Sequence, residues 1–140
     1  MATAAPPPFC RADALQRYWT AQGATQGLQI TLGLYADRAC RLPARPHVQV
    51  LVAGRPVRLR QVPYRLGAEN APRRTIAPRR PASVVLRWEN WCGRRGPVSI
   101  RLTLGGATVV APLGSETTSG PACVDRARPS TLGVSLFVRR

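Results

Sequence analysis

Apolar and polar residues alternate with a period of two along most of the chain, the spacing of strands that bury one face. In Gly27–Tyr35, Leu28, Ile30, Leu32 and Leu34 point one way, while Gln29, Thr31 and Tyr35 point the other. Val48, Val50 and Val52 share a face in His47–Val52. Ala53-Gly54-Arg55 then turns the chain into Pro56–Val62, where Val57 and Leu59 alternate with Arg58 and Arg60, a hairpin pattern. Ala82–Trp91 sets Val84, Leu86 and Trp88 against Val85, Arg87 and Glu89. Val98–Leu104 places Val98, Ile100, Leu102 and Leu104 inward, with Ser99, Arg101 and Thr103 outward. Gly105-Gly106 makes the next turn, into Ala107–Ala111, and Thr131–Val138 is a last strand with Leu132, Val134 and Leu136 on one face.

The remaining segments are less regular. Cys10–Trp19 fits either a short helix or an irregular first strand, and Pro63–Arg74 reads as a polar loop without a pattern. Thr75-Ile76-Ala77 leads through Pro78–Pro81 into the strand at Ala82. Seven or eight strands with turn signals about every ten residues predict an all-β fold of two antiparallel sheets packed face to face, with an open barrel as the alternative. At 140 residues the chain fits one domain, assigned to residues 9–140. Met1–Pro8 reads as a flexible Ala/Pro tether. A hydrophobic fraction of 44% argues against wholesale disorder, and 14 Pro with 12 Gly supply the punctuation that short strands need. No apolar run approaches the roughly 20 residues of a membrane-spanning helix. The first residues lack the basic and apolar regions of a signal peptide, so the leader of an exported protein would lie outside this sequence.

Four cysteines, Cys10, Cys40, Cys92 and Cys123, are widely spaced. A structural zinc site or a redox motif needs a close pair such as C-x-x-C, and none is present. A nucleophilic thiol wants a histidine base, and the single histidine, His47, falls inside a predicted strand. Disulfides are the expected state, with four buried free thiols as the alternative, and they imply an oxidising, extracytoplasmic compartment. Three connectivities are open. Cys10 opens the first segment and Cys40 follows the Gly27–Tyr35 strand, so antiparallel packing sets both at one end of the sandwich. Cys92 follows Ala82–Trp91 and Cys123 precedes the last strand. Cys10–Cys40 with Cys92–Cys123 is therefore the expected pairing.

The segment Cys40-Arg41-Leu42-Pro43-Ala44-Arg45-Pro46 leads into Val48–Val52, and Ile76-Ala77-Pro78 turns into Ala82–Trp88. Cys10 stands near the start, Cys92 follows a Trp, and Cys123 precedes the closing strand. In these features the chain resembles the actinobacterial domain of unknown function 4232 family, small secreted or lipid-anchored domains of high-GC bacteria. The family usually has Gly at the place of Ala44 and often Asn near Ala36-Asp37. The resemblance implies an immunoglobulin-like β-sandwich, export and often a lipoprotein or Pro-rich tether, and it implies no activity.

All 21 basic residues are Arg, against six acidic residues, for a net charge of +15. Codon bias in a high-GC genome accounts for Arg in place of Lys, but less well for the excess over acids. Such a charge attracts acidic polysaccharide, phosphate polymer, lipid head groups or nucleic acid. Arg58, Arg60, Arg87 and Arg101 occupy outward strand positions and would form one basic face if their strands are neighbours. Arg73-Arg74, Arg79-Arg80, Arg94-Arg95 and Arg139-Arg140 lie in loops or at the end of the sequence. Arg58, Arg60, Arg87, Arg101, Arg94 and Arg95 are the candidate anion contacts, against the plainer reading of a solvated surface that guards strand edges.

An enzyme needs acids, bases or nucleophiles that converge. Asp13, Asp37, Glu69, Glu89, Glu116 and Asp125 are scattered over different segments, and no motif for catalysis, metal or cofactor binding is present. Trp88 reads as core. Trp19 and Trp91 read as either flanking a carbohydrate or partner surface or packing beside a disulfide. The expectation is a non-catalytic, cofactor-free envelope or secreted interaction module that meets anionic polymer, lipid head groups or a protein partner. A nucleic-acid-binding protein or a structural assembly subunit is the alternative. The former would lack the stacking platforms and recognition helix common in that class.

Overall fold

The computed structural model describes residues 5–24, 27–67, 71–104, 107–112 and 120–139. Alternation dictates the elements. A 3₁₀ turn at Ala12–Ala14 leads into β1 (Leu15–Ala24), which resolves the ambiguous first segment as a turn and a strand. β2 (Gly27–Ala36) returns antiparallel along the whole of β1, with Leu15 facing Ala36 and Ala24 facing Gly27. There follow β3 (Cys40–Arg41), β4 (His47–Val52), β5 (Arg55–Pro56), β6 (Arg60–Pro63) and β7 (Thr75–Ile76). β8 (Ala82–Glu89), β9 (Val98–Leu104), β10 (Ala107–Pro112), β11 (Thr131–Val134) and β12 (Val138–Arg139) complete the described strands.

One sheet has the order β1-β2-β8-β11-β6, with β12 also on β8, and the second has the order β10-β9-β4-β5. A short ladder joins β3 to β7. Leu28, Ile30, Leu32, Leu34, Val84, Leu86 and Trp88 of the first sheet form a single buried cluster with Val48, Val50, Ile100 and Leu102 of the second. That shared cluster makes the fold a two-layer sandwich, and the inward faces are those the alternation selects. Most ladders are antiparallel; β11 with β6 is parallel, which the strand pattern did not foretell.

Two predicted strands are built differently. Pro56–Val62 is not one hairpin arm: β5 ends at Pro56, Val57 N–H donates to the Val50 carbonyl at 3.0 Å, and the chain then crosses to the other sheet as β6. Val57 and Leu59 pack partly buried along the crossing, so their alternation is real although it serves two sheets. Thr131–Val138 is interrupted. Val134 faces Leu86 and Val138 faces Ser83, so four steps along the last strand oppose three along β8, a bulge. Ser135 fills it, with its N–H donating to the Val85 carbonyl (3.0 Å) and its Oγ accepting from Val85 N–H (2.8 Å). The bulge reverses the parity: Leu136, expected inward, is exposed, and Phe137 takes its place in the core. The Ala53-Gly54 turn forms as expected, with φ of 50° and 79°, the paired positive values of a type I′ hairpin. Gly105 and Gly106 lie outside the described residues.

Both disulfides have the expected pairing, Cys10–Cys40 and Cys92–Cys123, with Cα separations of 4.8 and 4.6 Å. The first is buried and ties the entry of the chain to β3. Arg41 reinforces it: its N–H donates to the Pro8 carbonyl (2.8 Å), its Nε to the Pro7 carbonyl (2.7 Å), and its guanidinium lies 4.3 Å from the centre of the Phe9 ring.

Candidate anion-binding surface

The six arginines singled out from the sequence do not share a face. Arg87 lies on β8, in the first sheet, and Arg101 on β9, in the second. Alternation tells which residues face outward but not which sheet a strand joins, so the condition for a single basic face is unmet. Arg60 is exposed on the edge strand β6, and Arg58 is exposed in the crossing before it. Arg87 donates from Nε to Glu89 Oε1 at 2.6 Å. That bond holds the guanidinium charged and raises its pKa further, against the opposing effect of burial. Arg87 is thus committed to a carboxylate of its own strand. Arg101 donates to Gln49 Oε1 at 2.9 Å, across the β4–β9 ladder.

Arg94 and Arg95 lie beside the second disulfide, and they differ. Arg95 clamps backbone, donating to the carbonyls of Pro121 (2.8 Å) and Trp91 (2.9 Å). Arg94 is exposed and contributes its carbonyl to Trp91 Nε1 at 3.0 Å. Asn90, at φ of 59°, anchors the far side of this corner. Its Oδ1 accepts from Val124 and Asp125 N–H, both at 2.9 Å, and its Nδ2 donates to the carbonyls of Asp125 (2.9 Å) and Arg128 (3.1 Å). Of the two readings for Trp91, packing is the one observed: its ring lies 5.6 Å from that of Trp88, beside Cys92. Trp88 is fully buried, as expected, with Nε1 donating to Ser130 Oγ. Trp19 is half-buried against the core.

The sequence offered no signal for a groove of about 870 Å³ that forms where Pro63–Gly67, Ala71 and Pro72 lie beside Val134–Val138. Val62, Tyr64, Leu66 and Leu136 line it with Arg45 and His47. Tyr64 N–H donates to the Val134 carbonyl at 3.0 Å. Gly133 lets the Tyr64 ring lie close, since a Cβ there would stand 3.2 Å from Tyr64 Cβ. His47 is an exposed residue at the start of β4, on the lip of this groove.

Among the described residues, Glu89 and Asp125 line one small cavity together with Asn90 and Arg128. Asp13 pairs with Arg11, Glu89 with Arg87 and Asp125 with Arg128, while Asp37 is exposed; Glu69 and Glu116 lie outside the described residues. Among the described residues no group of three His, Cys, Asp or Glu side chains could hold a metal ion. A scan against protein-family models found no match for this chain, and searches of curated proteins and of solved structures found none.

Proposed function

We propose that this chain is a non-catalytic module of the cell envelope or extracellular space that binds anionic polymer or lipid head groups through an arginine-rich surface. The observation that carries this reading is the imbalance of charge on a scaffold held by two disulfides. Three ion pairs occur among the described residues, engaging Arg11, Arg87 and Arg128. Exposed arginines such as Arg45, Arg58, Arg60, Arg65 and Arg94 stand outside those pairs. A field of this sign concentrates polyanions at the surface and speeds their capture. Two disulfides are typical of extracytoplasmic proteins, which supports the compartment. The resemblance to exported four-cysteine domains points the same way.

Binding to anionic vesicles, a heparin-like polymer and duplex DNA, measured at low and at physiological salt, tests the proposal. The expected result is that vesicles or polymer stay bound at physiological salt. Equal, salt-labile binding to all three would reduce the effect to net charge and overturn it.

A further inference from the structure

Three of the four arginine pairs in the sequence send one member to the same end of the sandwich. Pro72 and Val138 form an antiparallel bridge, flanked by Arg73 N–H donating to the Phe137 carbonyl (2.7 Å) and Arg139 N–H donating to the Ala71 carbonyl (2.9 Å). Pro72 thus sits where the ladder asks for no N–H, a position a proline can fill. Strand alternation then puts Arg73 and Arg139 on one face as diagonal neighbours. Arg139 is also the register partner of Ala82 on β8. Arg80 stands two residues before Ala82, in a tight turn where its N–H donates to the Ala77 carbonyl at 2.8 Å and Arg79 takes φ of 66°.

The side chains at this end are short of acceptors. Arg73 Nη1 is buried and has no hydrogen-bond partner. Its pKa is pushed below the ordinary arginine value, first by burial and then by the charges of Arg80 and Arg139. Among the described residues no ion pair reaches any of the three. A buried guanidinium donor without an acceptor is unfavourable, and two like charges beside it make it more so. An anion that accepts from Nη1 and neutralises its neighbours relieves both penalties at once.

We propose that Arg73, Arg80 and Arg139 form a binding site for a phosphate-type oxyanion, with Arg73 Nη1 donating at its base. A tetrahedral phosphate carries up to two charges and offers acceptors in several directions, which three guanidinium forks from three segments can meet. A carboxylate carries one charge and two coplanar oxygens and leaves the cluster under-neutralised. The site rests on the anion-binding reading above and gives it an address: a phosphate group of a polymer end, a soluble ester or a lipid.

Titration calorimetry of inorganic phosphate into the oxidised chain, at ionic strength fixed with chloride, tests this. Three proteins are compared: the wild type, Arg80→Ala/Arg139→Ala, and the charge-matched Arg38→Ala/Arg55→Ala, whose two arginines are exposed elsewhere. Arg73 is left in place because its partly buried side chain also contributes to packing. The first variant should lose affinity about tenfold or more, on the scale of lost charge-assisted hydrogen bonds, and the second less than about twofold. Without phosphate, Arg80→Ala should melt at a higher temperature than wild type, since it relieves repulsion on Arg73, and the rise in Tm that phosphate gives the wild type should shrink. Equal losses in the two double variants, equal binding of acetate and phosphate, or an unaltered phosphate-induced rise in Tm would overturn the site. Glycerol phosphate and phosphatidic acid vesicles, each compared with Arg80→Ala/Arg139→Ala, separate the soluble from the lipid source; a ligand bound through the site loses affinity in that variant. Vesicle binding that ignores it while inorganic phosphate also ignores it would sink the site yet leave the broader surface reading standing.

Discussion

Removing the second disulfide, by Cys92→Ser with Cys123→Ser, acts mainly on the unfolded chain. The bond closes a loop with a sequence separation of 31 residues. In the chain-entropy description that constraint contributes about 3.7 kcal/mol at room temperature. Little should be lost from the folded state itself. Asn90 still bonds Val124, Asp125 and Arg128, Arg95 still bonds Pro121, and Trp91 still lies against Trp88. With a urea m-value of about 2 kcal/mol per molar for a chain of this size, the unfolding midpoint should fall by about 2 M. Urea titration followed by far-UV circular dichroism measures the shift, and near-UV dichroism of the tryptophans reports on the folded baseline. A shift under about 0.5 M would refute the entropic reasoning. An altered near-UV baseline would instead mean that the bond organises the folded corner and that those hydrogen bonds do not suffice without it.

Other consequences are sharper at single residues. Asn90→Ala should cost about 2–4 kcal/mol, because it strips side-chain bonds from Val124, Asp125 and Arg128 and leaves Ala at a positive φ; Asn90→Gly should recover about 1 kcal/mol of that. Equal losses in denaturant midpoint for the two would contradict the backbone part. Gly120→Ala should cost clearly more than Gly54→Ala. Both have positive φ, but a Cβ at Gly120 meets Trp88 Cη2 at 2.9 Å, while the one at Gly54 meets nothing within 4 Å. Thermal melts should show about 1 kcal/mol lost at Gly54 and about 2–4 at Gly120, and a reversed order would refute the contact. On titration with a mild thiol reductant, Cys92–Cys123 should open before the buried Cys10–Cys40, since Cys10 is only 2% exposed. Alkylation and mass mapping would read the order, and the opposite order would disprove the dependence on access.

Much of the scaffold was legible because alternation is a local signal. Leu28 to Leu34 and Val98 to Leu104 sit on the faces their period assigns, and the cysteines pair as their places at strand ends suggested. What failed was non-local. Nothing in the run from Val57 to Val62 marks the crossing from one sheet to the other. The bulge at Ser135 depends on a serine hydroxyl standing in for a backbone acceptor opposite Val85, a contact fifty residues away in sequence. The arginines show the same division. Outward positions could be read for Arg87 and Arg101, yet strand order assigns them to different sheets. The placing of Arg73 and Arg139 on one face follows from the Pro72–Val138 bridge, and Arg139 comes beside the start of β8 through the β8–β12 register; both are tertiary facts.

A direct competition between two polyanions bears hardest on the proposed role. The oxidised chain is titrated, at physiological salt, with a glycerol-phosphate polymer and with duplex DNA at matched phosphate concentration. An envelope-binding module should bind the polymer more tightly than the duplex at that salt. Tighter binding to DNA, or no binding to the polymer at that salt, would contradict it.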